Sequence, residues 1–112
     1  MHEFGITTRI VAIVTKAAHG RRIETVTLEV GALAGVMGDA ITFCFDALTQ
    51  ETALAGVRLE IVEIPGLARC IHCDALFNAA TLLAACLCGS RQLSWVSGQE
   101  LNIKSLTYLE MV

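Results

Sequence analysis

No apolar run in the sequence approaches the ~18 residues that a membrane-spanning helix needs, because charges or threonines interrupt each one. A span is therefore not expected, although the mean hydropathy is high at +0.62. Charge is scarce: 17% of residues are charged against 54% hydrophobic, a balance that excludes intrinsic disorder. Lys and Arg form no cluster and the formal net charge is −3, which argues against nucleic acid, since neutralising phosphates needs grouped cations. The N-terminus has neither a basic n-region nor a cleavable apolar segment, so the chain reads as cytoplasmic. No nucleophile–base arrangement is visible, and Gly31 to Gly38 lacks the lysine and Ser/Thr of a phosphate-binding loop. The reading is a carrier, not an enzyme.

What the sequence does have is cysteine in pairs. Cys70-Ile71-His72-Cys73 is followed, after twelve residues, by Cys86-Leu87-Cys88-Gly89. Two close pairs joined by a short loop let four thiolates converge on one tetrahedral ion, with Zn–S near ~2.3 Å. The first pair has the usual C-x-x-C spacing. The second is C-x-C, so its sulfurs are expected to diverge more; Gly89 supplies the turn freedom after it. In a reducing compartment such pairs favour metal over a disulfide, with a disulfide or free buried thiols as the alternative. His72 is a candidate to replace one sulfur. Cys44 falls on a helix stripe between Phe43 and Phe45 and reads as a buried small hydrophobe.

Periodicity places the elements around these pairs. Ile6, Ile10, Ile13, Val14 and Ala17 mark one face of a helix from Glu3 to Ala18, ended by His19-Gly20. Val26, Leu28 and Val30 alternate with Thr25, Thr27 and Glu29 in a half-buried strand, Ile23 to Val30. Asp39 is the expected N-cap of a second helix through about Thr49, with Ile41, Cys44, Phe45 and Leu48 inward. A strand from Val57 to Ile64 stops at Pro65-Gly66, and a third, Leu101 to Leu109, shifts phase near Lys104-Ser105, suggesting a bulge. The expectation is an α+β fold: two helices packed on a three-stranded β-sheet, with an inserted small zinc-binding lobe of paired cysteine knuckles. Residues 1–66 plus 96–112 would form the α/β domain and 67–95 the lobe. A chain of 112 residues builds only a modest core, which a metal-clamped lobe would assist. The apolar excess, greatest in the lobe, points to a homodimer or strand-exchanged assembly, or to docking on another protein.

The opening Met1-His2-Glu3 carries its own chemistry. A free α-amine, the main-chain nitrogen of His2 and its imidazole Nδ1 can close fused chelate rings on one cation, and nitrogen-rich tetragonal geometry suits Ni(II) or Cu(II). Glu3 could add a main-chain nitrogen or a carboxylate; a frayed terminus is the plain alternative. His19 reads as a helix-end residue.

Taken together, these pieces resemble the HypA/HybF family of hydrogenase-maturation nickel metallochaperones, nearly end to end. The likeness rests on Met1-His2-Glu3, on Leu28-Glu29-Val30-Gly31-Ala32-Leu33-Ala34-Gly35-Val36, on Phe43-Cys44-Phe45-Asp46-Ala47-Leu48-Thr49, on Leu59-Glu60-Ile61-Val62-Glu63-Ile64-Pro65, on the cysteine lobe and on Ser97-Gly98-Gln99-Glu100-Leu101-Asn102-Ile103-Lys104-Ser105. The resemblance implies a transferable Ni(II) site on His2 with Met1 and Glu3. It also implies a structural Zn(II) on Cys70, Cys73, Cys86 and Cys88, and delivery of nickel to a [NiFe]-hydrogenase large subunit with a nickel-insertion GTPase. The departures are the second pair, where the family usually shows C-P-x-C-G, and Asp74, where glycine is common. Two rival readings of the knuckles are a single-iron four-cysteine electron-transfer protein and a zinc-ribbon interaction module; neither accounts for Met1-His2-Glu3.

Overall fold

The computed structural model describes residues 2–109. The chain order is α1 (His2–Ala18), β1 (Ile23–Gly31), α2 (Gly38–Thr49), β2 (Arg58–Ile64), β3 (Leu67–Cys70), β4 (Leu76–Asn78), β5 (Leu93–Ser97) and β6 (Leu101–Tyr108). Two three-stranded sheets form, β2-β1-β6 and β4-β3-β5. The chain gathers into two compact units. One runs up to Leu28 and adds Val36–Val62 and the residues from Asn102 on; the other comprises Glu29–Gly35 and Glu63–Leu101. Among the described residues no helix is long and apolar enough to cross a membrane.

In the first unit α1 and α2 pack on each other. The inward face of α1 is Thr7, Ile10, Val14 and Ala18. This corrects the sequence reading, which put Ile13 and Ala17 inside; both are exposed. Thr7 can be buried because its hydroxyl donates to the Glu3 carbonyl at 2.6 Å, which leaves no polar atom without a partner. The helix ends as expected, with His19 and Gly20 both in the left-handed region at φ 50° and 80°.

On α2, Ile41 and Phe45 are buried as expected, Cys44 and Leu48 are half-buried, and Thr49 joins the inner face. The N-cap is Met37, two residues before the expected Asp39, and no side chain caps it. Asp39 instead sits in the first turn, where its charge suits the helix dipole. Strand β1 lies between two neighbours in its sheet. Thr25 is buried along with Val26 and Leu28, so strict alternation fails there. On β6 Ile103 is half-buried, Lys104 and Ser105 are exposed, and Leu106 and Tyr108 are half-buried.

The second unit holds a small antiparallel sheet that periodicity did not reveal. Its central strand β3 pairs with β4 (Ala68 opposite Phe77) and with β5 (Ala68 opposite Trp95), with an irregularity between Leu67 and Ala68. Pro65-Gly66 breaks the chain between β2 and β3 as expected, and the Ser97 hydroxyl donates to the Pro65 carbonyl at 2.9 Å.

Candidate metal centres

The buried end of β3 carries Cys70, and the chain turns directly after it. The Asp74 amide donates to the Cys70 carbonyl at 2.8 Å, and the Cys73 amide points at the Cys70 sulfur at 3.4 Å. Asp74 closes this turn at φ 65°, a conformation glycine adopts freely and aspartate tolerates better than most residues. Arg69 Nη1 donates to the Asp74 carbonyl at 3.2 Å and helps hold the turn.

The second knuckle is built alike from a shorter sequence. The Gly89 amide donates to the Cys86 carbonyl at 2.8 Å, the Cys86 amide to the Ser90 carbonyl at 2.9 Å, and Gly89 has φ 94°. The Ile71 amide donates to the Gln92 carbonyl at 2.9 Å and ties the two knuckles together.

The four sulfurs converge. Cys70 Sγ lies 3.7 Å from Cys88 Sγ, Cys73 Sγ lies 3.5 Å from Cys86 Sγ, and all four ligand atoms fall within 4.8 Å of one another. A tetrahedral ion with M–S bonds of ~2.3 Å requires sulfur–sulfur edges of about 3.8 Å. The cluster therefore fits one small cation, and the C-x-C pair, expected to diverge, still brings both its sulfurs into it. Each pair gives one buried cysteine, Cys70 or Cys86, and one exposed, Cys73 or Cys88. All four are free thiols, with no disulfide between them.

Crowding splits their acidities. The Cys73 amide, aided by that of His72 and by the Cys88 and Cys73 thiols, pulls Cys70 down to about 6. The Ala75 amide favours the Cys73 thiolate too, but the Cys86 thiol, burial and the remaining thiols outweigh it and push Cys73 up to about 12. Cys88 is likewise raised: the Ser90 amide is overcome by Cys86, burial and Cys70. The set takes one negative charge readily and resists more until a cation balances it. His72 is exposed and outside the cluster, and Cys44 on α2 takes no part in it.

At the other candidate centre, Met1 lies outside the described residues. His2 opens α1 with its side chain 59% exposed, and its Nε2 stands 3.8 Å from Glu3 Oε2. The Glu3 side chain is only 16% exposed, and the same oxygen accepts the Met37 amide at 3.2 Å. Its own amide, then that of Met37, hold the Glu3 carboxyl below its usual value, with a smaller contribution from His2. The Met37 contact had no signal in the sequence, because a main-chain N–H is common to almost every residue.

An α+β fold with a convergent four-sulfur cluster defines a metal-binding protein. The family model described as hydrogenase/urease nickel incorporation, metallochaperone, HypA matches residues 1–108. Hydrogenase maturation factor HypA of Nostoc punctiforme is 50% identical over 111 residues, covering 99% of this chain and 98% of that protein. The factor of the same name from Geobacter metallireducens is 46% identical over 107 residues, 95% and 97% of the two chains. The solution structure of the Ni metallochaperone HypA from Helicobacter pylori shares the fold at TM-score 0.66 and 21% identity, covering 97% of this chain and 98% of that one. A second HypA solution structure gives TM-score 0.70 at 23% identity, covering 97% of each. The chain belongs to the HypA family: it is a nickel-incorporation metallochaperone of hydrogenase maturation. The electron-transfer and zinc-ribbon readings are not favoured by these matches.

Proposed function

We propose that the chain binds Ni(II) at its N-terminus, through the Met1 α-amine, His2 and Glu3, and passes it to a [NiFe]-hydrogenase large subunit together with a nickel-insertion GTPase. The observation that carries the reading is the start of α1 at His2. The main-chain nitrogens of His2 and Glu3 then lie in the first turn, together with the His2 imidazole and the Glu3 carboxylate. The positive end of the helix dipole opposes a cation, so donors that become anionic, with the Glu3 carboxylate beside them, are the chemistry a nickel site there requires. Few and exposed donors suit a cargo that must also leave, and the protein acts as a carrier, not a catalyst.

A resident Zn(II) on Cys70, Cys73, Cys86 and Cys88 completes the reading, with residues 67–95 as its lobe and the remainder as the nickel-binding domain. The sulfur edges and the all-thiolate donor set support it. Such an ion would cross-link the two knuckles and stabilise the lobe. A cytoplasmic setting, with reduced thiols, accompanies this assignment. So does a homodimer, for which exposed Leu82, Leu83 and Leu87 offer apolar surface. The formal net charge of −3 supports partners other than nucleic acid.

Nickel titration with zinc counted by elemental analysis tests the assignment. His2→Ala, and separately a chain blocked at its α-amine, should lose nickel while keeping zinc. Nickel uptake equal to the unmodified chain in both would remove the N-terminal site.

A further inference from the structure

We propose that the Glu3 carboxylate is a positioning group and not a nickel donor: it links the start of α2 to the His2 imidazole and holds the ring with Nδ1 toward the metal. This rests on the N-terminal nickel reading above. A chelate that includes the α-amine and the His2 main-chain nitrogen uses imidazole Nδ1, the ring nitrogen nearer the backbone. Nε2 is then the outward nitrogen, and it is the one that stands 3.8 Å from Glu3 Oε2. That separation exceeds a hydrogen bond, but a side-chain adjustment of less than 1 Å brings it into range.

A carboxylate that accepts the distal N–H of a metal-binding histidine fixes its tautomer, orients the ring and raises its basicity. To do so the carboxylate must itself be fixed. Oε2 of Glu3 accepts the main-chain N–H of Met37 at 3.2 Å, and the Glu3 side chain is mostly withdrawn from solvent. Met37 is the N-cap of α2 and no side chain of its own caps that helix, so the carboxylate also serves an N–H at the positive end of α2. The contact joins residues 34 positions apart. The Glu3 side chain thus braces the ring against α2.

The test compares Glu3→Ala, Glu3→Gln and Met37→Pro with the unmodified chain by nickel titration, reading affinity and the Ni(II) ligand-field band. Glutamine keeps an oxygen that can accept both N–H groups. Proline removes the Met37 N–H and touches no proposed nickel donor. Glu3→Ala and Met37→Pro should weaken nickel binding about tenfold, the scale of one hydrogen bond to a charged group. Glu3→Gln should stay within about twofold, and the band should keep its position in all three because the donor atoms are unchanged. A band shifted in any of the three, or either Glu3→Ala or Met37→Pro binding like the unmodified chain, would overturn the proposal. Should Met37→Pro lose helix content by circular dichroism, the two Glu3 variants decide by the same criteria. His2→Ala serves as the reference. Its failure to lose nickel would remove the site itself, whereas its loss beside an unaffected Glu3→Ala would remove only the positioning role.

Discussion

Gly31, the last residue of β1, and Gly98, between β5 and β6, meet main chain against main chain, so that a Cβ on Gly31 would stand inside the Gly98 carbonyl. The surrounding hydrogen bonds fix the contact: the Leu33 amide donates to the Gly98 carbonyl at 2.6 Å and the Gly31 amide to the Glu100 carbonyl at 2.7 Å. Gly98 also has φ 112°, and a Cβ there would come within 2.6 Å of Gly66 Cα. Neither neighbour is a flexible side chain that could swing away. Gly31→Ala should therefore cost about 3 kcal/mol, at the upper end of overpacking penalties. Gly5, inside α1 with nothing within 4 Å of its Cβ position, is the control. Gly5→Ala should stabilise by about 0.5–1 kcal/mol through helix propensity. Urea denaturation of both variants checks the contrast.

The thiol acidities make zinc uptake proton-linked, with a definite sign. At pH 7 the cluster already carries the charge centred on Cys70, at about 6. Cys73, at about 12, and Cys88, raised in the same way, still hold their protons and must release them to become ligands. Zinc loading should therefore release roughly two or more protons, and affinity should rise with pH across the neutral range. Calorimetry in buffers of different ionisation heat counts them; an affinity independent of pH would contradict the thiolate assignment. Structural zinc contributes on the order of 10 kcal/mol of apparent binding energy. Chelation, or Cys73→Ala, should accordingly unfold the lobe, while Cys44→Ala leaves the zinc content unchanged.

Neighbouring phenylalanines on α2 have opposite environments. Phe45 is completely buried, whereas Phe43 keeps 76% of its surface. Phe45→Ala should destabilise by about 3–5 kcal/mol through lost burial and a residual cavity. Phe43→Ala should change stability by less than about 0.5 kcal/mol. Thermal and denaturant unfolding separate the two.

Much of the architecture was legible because it is periodic. The extents of α1, β1, α2, β2 and β6 follow from spacings of two, three and four and from the stops at His19-Gly20 and Pro65-Gly66. Which residues of a helix turn inward was less legible. On α1 a stripe through Ile13 and a stripe through Thr7 satisfy the same period, and only the packed partner chose Thr7. The sheet around the cysteines escaped because β4 has three residues and β3 four, too few to show alternation between the knuckles.

The sequence by itself determined the donor chemistry: four thiolates in two close pairs, a histidine at the second position with a carboxylate after it, and turn residues at each knuckle. Tertiary structure alone decided that sulfurs from opposite pairs meet at 3.5 and 3.7 Å, and that Glu3 meets Met37 at 3.2 Å. The reason is physical. Local steric and hydrogen-bonding preferences act over a few neighbouring residues and are written in their order, whereas distances between remote residues are set only when whole elements pack.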